Sequence, residues 1–201
     1  MIVIGFGGEP ATGKSKLMKA AMTELNEQPM VTDVRMGSHT IKLTIFFKND
    51  VTVIGHYQPG DTFGGTDRLS MSIQPSMEEY IKILLKRDSD TSLWFEGDRL
   101  FNVKFIEYLK SFQEITSFFF ILDARENIKV ARHAERDNQN ESWLRGRATK
   151  VRNIKEKFDL PVVYNNIESD IAVLVKFILQ VNVNLLAKQK KNSKSIKELG
   201  Y

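Results

Sequence analysis

The first twenty-five residues restrict the fold more than any other stretch of the chain. An apolar run, Ile2-Val3-Ile4-Gly5-Phe6, leads straight into "GGEPATGKSKL", Gly7 to Leu17. Met1 to Phe6 reads as a buried parallel strand and Lys14 to Leu25 as a helix. Between them, Gly8-x-x-x-x-Gly13-Lys14-Ser15 has the spacing of a loop whose backbone N–H groups curl around nucleotide phosphates. The nucleotide-binding set expected from that spacing is Gly8, Glu9, Pro10, Ala11, Thr12, Gly13, Lys14, Ser15 and Lys16. Lys14 would reach the terminal phosphates and Ser15 would ligate magnesium. The helix that follows turns its N-terminus, with its dipole and free amides, toward the anion.

The rest of the chain has the length for one α/β domain, residues 1–201, and its 42% hydrophobic and 27% charged residues suit an ordinary packed core. With no cysteine, neither a disulfide framework nor a thiolate zinc site is available. His39, His56 and His133 lack metal-ligand spacing, so any metal is expected on oxygen ligands. The N-terminus carries no signal pattern and no segment approaches the length that spans a bilayer, so a cytoplasmic protein without membrane attachment is expected. The formal charge of +4 suits a phosphate-rich partner. Much of that excess lies in a basic tail, about 187–201, which reads equally as a solvated helix end.

Strand and helix signals alternate after the first unit. "HTIKLTIFF" and "VTVIGHY" are β-rich runs joined by "KND", which has the turn chemistry of a hairpin. Ser76 to Lys86 reads as a helix, "TSLWFEG" as a buried strand, and Leu100 to Phe112 as a second helix. "ITSFFFILDA" is the most apolar strand; a charged stretch, "LPVVYN" as a last strand and a helix over Asp170 to Leu186 close the chain. The expected fold is α/β: a parallel sheet with helices on both faces, a β-hairpin insertion and a helical lid at about 125–157.

Ligands of such sheets bind beyond the carboxyl ends of the strands, so the polar residues there are the candidates for chemistry. In "GHYQPGDTFGGTDRLSMSIQP", Asp67 could align an acceptor hydroxyl while Arg68 holds a nearby phosphate. His56 and Tyr57 stand at a strand end facing that acceptor side. In "LWFEGDRLF", Glu96 is favoured over Asp98 as the magnesium or nucleophile-orienting carboxylate. Asp98 reads either as a helix cap or, with Arg99, as a substrate contact.

These elements resemble the P-loop nucleotide and polynucleotide kinases. The Asp67-Arg68-x-x-Ser70 segment is similar to the Asp-Arg-aromatic-x-x-Ser element that thymidylate kinases hold against the acceptor, with Leu69 in place of the aromatic. It also comes before the "EGDR" strand end and not after it. Asp33, with Arg35 behind it, resembles the general base of polynucleotide kinases, although a turn before the hairpin explains it as well. The stretch from Asp123 to Phe158 is similar to a nucleoside-monophosphate-kinase lid, which implies Arg132 and Arg136 on one arm, and Arg145 and Arg147 on the other, closing over the transferring phosphoryl group. Trp143 is either a core anchor of that lid or a stacking surface for a base.

"GTDRLSMSIQP", "EGDR" and "WLRGR" together look like the bacteriophage 5-hydroxymethyluracil DNA kinases. That resemblance implies ATP, with GTP also admissible, and magnesium as cofactors, and DNA containing a modified base as the acceptor. Lys14 would neutralise charge, and Asp67, Asp33 or Glu96 would orient the hydroxyl. A free deoxynucleoside-monophosphate kinase and a non-enzymatic nucleotide-binding switch or motor component are the alternatives.

Overall fold

A computed structural model describes residues 1–57, 64–87, 91–134 and 140–198, with side chains up to Lys188. Seven strands form one sheet: β1 Ile2–Gly7, β2 Met30–Met36, β3 His39–Phe46, β4 Val51–Ile54, β5 Ser92–Glu96, β6 Thr116–Asp123 and β7 Val162–Tyr164. Their order across the sheet is β2-β3-β4-β5-β1-β6-β7. The block from β4 to β7 is parallel, whereas β2, β3 and β4 form an antiparallel extension. The helices are α1 Lys14–Glu24, α2 Gln74–Lys86, α3 Val103–Lys110, α4 Glu126–Ala134, α5 Glu141–Phe158 and α6 Glu168–Glu198.

Alternation along the strands explains why both faces are covered. Val3, Leu93, Phe95, Phe119 and Ile121 point to one side and pack with Met77 and Ile81 of α2, Phe105 and Leu109 of α3, and Val151 and Ile154 of α5. Ile2, Ile4, Phe6, Trp94, Phe120 and Leu122 point to the other and meet Leu17 and Met18 of α1 and Ile171, Leu174, Val175 and Ile178 of α6. A strand that is apolar at successive positions is stable only between two helical layers. The fold is therefore the expected α/β architecture, a largely parallel sheet between two helical layers, with the β3–β4 hairpin beside the parallel block and two helices where the lid was expected.

Three boundaries depart from the sequence reading. The hairpin is a three-stranded meander, because Met30–Met36 pairs with β3 from Met30 opposite Ile45 to Met36 opposite His39. Its largely exposed burial pattern marks an edge strand, which shows no clean apolar alternation. The basic tail continues α6 through Glu198, in keeping with its lysines and glutamine, which are good helix formers. Within α6, Glu168–Lys188 spans 21 residues and is apolar enough, by length and composition, to cross a membrane. That corrects the expectation that no segment approaches this length. Here the helix lies on the sheet, and its buried Asn182 accepts a hydrogen bond from Ser92 Oγ and one of 3.4 Å from Trp94 Nε1.

Candidate active site

The phosphate loop is shaped by two glycines. Gly13 adopts φ 94°, and a Cβ there would stand 2.3 Å from Asn165 Nδ2; a Cβ on Gly8 would stand 2.1 Å from the carbonyl oxygen of Leu122. Any side chain at either position would push the loop off the ends of β6 and β7. The loop closes on itself through Thr12 Oγ1, which donates to the carbonyl of Glu9 at 2.9 Å. Asn165 Nδ2 and Arg132 Nη1 donate to the carbonyl of Thr12 at 2.9 and 3.4 Å, and Arg132 also reaches that of Ala11 at 3.3 Å. Lys14 Nζ curls over the loop and donates to the carbonyls of Gly8 and Glu9 at 3.0 and 2.9 Å. Among the described residues no side chain caps α1, so its first amides face the loop.

Behind the loop lies Glu96, at the end of β5 and fully buried. Its Oε1 accepts from Ser15 Oγ at 2.9 Å and from Tyr57 Oη at 3.3 Å. Burial lifts the Glu96 carboxyl from its ordinary 4.5 to about 7; Lys14 opposes the shift, the charge of Asp67 adds to it, and the two hydroxyl donors oppose it. Tyr57 is in turn raised well above its ordinary value, by burial first and then by Glu96. Ser15 Oγ and Glu96 form a pair of hard oxygen ligands at the loop's edge, the donor chemistry a magnesium ion takes. The tight glycine cradle likewise fits the phosphates of a bound nucleotide.

A carboxyl group that holds its proton to about pH 7 when folded, and to about pH 4.5 when unfolded, binds more protons in the folded state between those values. Its contribution to stability is complete below pH 4.5 and is lost as pH rises through 7, by on the order of 3 kcal/mol at most. In the metal-free, nucleotide-free protein, Glu96→Gln is therefore expected to gain on the parent as pH goes from 5 to 8. Thermal midpoints of the two proteins across that range check it; a constant gap would show that Glu96 stays ionised throughout.

On the acceptor side, the 3-10 turn Thr66–Arg68 is fastened to the end of β5. Thr66 Oγ1 donates to the carbonyl of Glu96 at 2.7 Å, and the amide of Asp98 donates to Asp67 Oδ1 at 2.9 Å. A cavity of about 440 Å³ joins the two halves: Gly8, Gly13, Lys14 and Ser15 form one wall, and Asp67, Arg68, Asp98, Arg99, Trp143 and Arg147 the other. Arg99 Nε donates to the carbonyl of Leu69 at 3.4 Å. Asp98 does not cap α3, whose N-cap is Asn102, accepting from the Phe105 amide. Asp98 instead anchors α5, forming a salt bridge with Arg147 and taking Lys150 at 3.7 Å.

Several expected residues lie elsewhere. Asp33 is on edge strand β2, four strands from β1, and pairs with Lys42 at 3.2 Å; it is not among the residues lining the cavity. Arg145 makes an exposed pair with Glu141 at 3.0 Å, one helical turn away. The Lys16 side chain joins Glu168 of α6 at 2.5 Å on the surface, although the residue itself borders the cavity. Pro10 and Ala11 line the cavity with the loop. His56 pairs its backbone with Gly65, and the Tyr57 ring lines a second hollow, of about 570 Å³, beside Lys19 and Met22 of α1. Tyr57 thus supports Glu96 from behind. Arg136 lies outside the described residues.

Thr66, Asn165 and Lys129 also support the site, with no signal in the sequence. Lys129 Nζ joins Glu9, Glu126 and Asp123 at 3.0, 3.0 and 3.6 Å, tying α4 to the phosphate loop. Burial alone would lower its pKa, but the bonds to Glu9 and Glu126 hold it raised. No motif marks these residues, since the contacts that tie them to the site, Thr66 to Glu96, Asn165 to Thr12 and Lys129 to Glu9, span 30, 153 and 120 residues and carry no local signal.

A profile of the family described as P-loop Nucleotide Kinase3 matches residues 2–174. No curated protein matches the chain in sequence. Among solved structures, the chain is similar to an unliganded sugar kinase from Janibacter sp. HTCC2649, at 13% identity and a TM-score of 0.49, over 90% of this chain and 93% of that one.

Proposed function

Because this chain belongs to the P-loop Nucleotide Kinase3 family and is a nucleotide-binding phosphotransferase, we propose that it moves the γ-phosphoryl group of ATP onto a hydroxyl of a nucleic-acid base. The acceptor in this reading is the 5-hydroxymethyl group of a uracil in DNA. The observation that supports it best is the shared cavity, in which the phosphate loop and Lys14 face Asp67 across a wall bearing Arg68, Arg99 and Arg147. Asp98 pairs with Arg147 on this wall, and Arg68 and Arg99 beside them suit an acceptor that brings its own phosphates.

Asp67 is the residue that fits the role of orienting the hydroxyl, being exposed at the cavity while Glu96 is buried behind the loop. The hydroxyl oxygen forms a bond to the γ-phosphorus, the bond from that phosphorus to the bridging oxygen of ADP breaks, and the hydroxyl proton passes to Asp67. Lys14 would leave the Gly8 and Glu9 carbonyls for the phosphates, and Arg132, which now donates to the Ala11 and Thr12 carbonyls of the same loop, would neutralise charge as transfer proceeds. Ser15 and Glu96 would hold magnesium, which when bound supplies charge neutralisation on the β- and γ-phosphates.

The test is incubation with γ-labelled ATP, magnesium and matched acceptors: DNA containing 5-hydroxymethyluracil, plain DNA, and free deoxynucleoside monophosphates. Label is expected on the modified DNA alone. Label confined to the free monophosphates would replace this reading with that of a monophosphate kinase.

A further inference from the structure

The two tryptophans of the chain stand in opposite surroundings. Trp94 is fully buried in the core, whereas Trp143, on the first turn of α5, is 41% exposed and lines the cavity opposite the phosphate loop. A large apolar ring left open beside cations gains from being covered by a flat partner. The ring is also held in place. The Arg147 guanidinium lies 5.0 Å from its centroid, Arg147 pairs with Asp98, and the Asp98 amide donates to Asp67 Oδ1 at 2.9 Å. Three successive contacts thus tie the indole to the carboxylate that faces the acceptor hydroxyl.

We propose that Trp143 is the platform on which the base of the acceptor stacks, with Arg147 backing the ring. This rests on the reading of the acceptor as a nucleic-acid base, and it assigns the step that selects for a base at all. Stacking tolerates any base, because every base has a π-face, so Trp143 would demand an aromatic acceptor while Asp67 would demand its hydroxyl. Arg68 and Arg99, on the same wall, suit the phosphates that flank such a base.

The probes are two single-stranded oligonucleotides, one bearing a single 5-hydroxymethyluracil and one abasic at that position, together with free thymidine monophosphate. Emission of the parent protein is expected to be quenched by the modified oligonucleotide and much less by the abasic one. Trp143→Phe, which leaves Trp94 as the sole tryptophan, should show no quenching. In turnover, Trp143→Leu should raise the KM for the modified oligonucleotide roughly fivefold or more, Trp143→Phe, which keeps a smaller aromatic face, should raise it less than Trp143→Leu does, and the KM for ATP should move far less. Transfer to modified DNA with no quenching and an unchanged KM in Trp143→Leu would overturn the platform and leave the DNA-kinase reading standing. Transfer to thymidine monophosphate alone, with the same dependence on Trp143, would overturn the DNA reading and uphold the platform. Quenching by neither oligonucleotide nor by thymidine monophosphate would overturn the platform whatever the variants do.

Discussion

Lys14→Ala is expected to lower turnover by on the order of a thousandfold while the protein remains folded. The ammonium group lies over the glycine loop, where its hydrogen-bond partners are two backbone carbonyls, those of Gly8 and Glu9. Replacing it removes hydrogen bonds worth about 1 kcal/mol each to stability. The loop keeps its shape through Thr12, Asn165 and the two glycines. Transition-state charge on the phosphoryl oxygens then goes unneutralised, and the loss falls mainly on turnover. Label transfer from ATP, together with a thermal melt, checks both halves. Turnover within tenfold of the parent would mean that Lys14 does not meet the transferring group.

Asp67→Asn carries the second large effect: transfer reduced by roughly a hundred- to ten-thousandfold, with nucleotide affinity close to that of the parent. The substitution is informative because asparagine keeps the oxygen that the Asp98 amide reaches at 2.9 Å, so the turn from Thr66 to Arg68 should stay fastened to β5. What is lost is the negative charge that the proposed mechanism sets against the acceptor hydroxyl. Single-turnover transfer and ATP titration on the same preparation separate the two quantities. A parallel fall in ATP affinity and transfer would place Asp67 on the nucleotide side of the cavity. Unchanged transfer would direct attention to Glu96, which sits behind Ser15.

The phosphate loop was legible in the sequence because its function is local. Gly8 and Gly13 shape the loop, and Lys14 and Ser15 carry its side-chain groups, all within eight consecutive residues whose spacing can be read without knowledge of the fold. The parallel block was legible for a related reason: strands buried on both faces read as unbroken apolar runs, as in "LWF" and "FFFIL". Strand β2 was not, since an edge strand keeps both faces partly wet and "MVTDVRM" lacks a clean period. Position beyond a strand end marked Asp67 and Arg68, which line the cavity; resemblance implied Arg132 and Arg147, which lie beside the loop and in the cavity wall. It misplaced Asp33, whose strand the meander carries to the far edge of the sheet. Asp98 was legible as a polar strand-end residue but not as the anchor of α5, because its partners Arg147 and Lys150 lie about fifty residues away on a helix whose docking the sequence does not state. Tyr57 was assigned to the acceptor, yet its hydroxyl serves Glu96 from the interior.

The central claim, that the hydroxyl acceptor belongs to a base within DNA, is tested most directly by the KM for the acceptor across a salt series. The comparison is between duplex DNA containing 5-hydroxymethyluracil and the corresponding free monophosphate. An enzyme that grips the backbone releases counterions, so affinity for the duplex should fall with a log–log slope of about −0.9 for each phosphate neutralised. Phosphorylation of the modified duplex with a steep salt slope, and little or none of the monophosphate, is the result expected here. Efficient phosphorylation of the free monophosphate with a shallow slope, and none of the duplex, would contradict it.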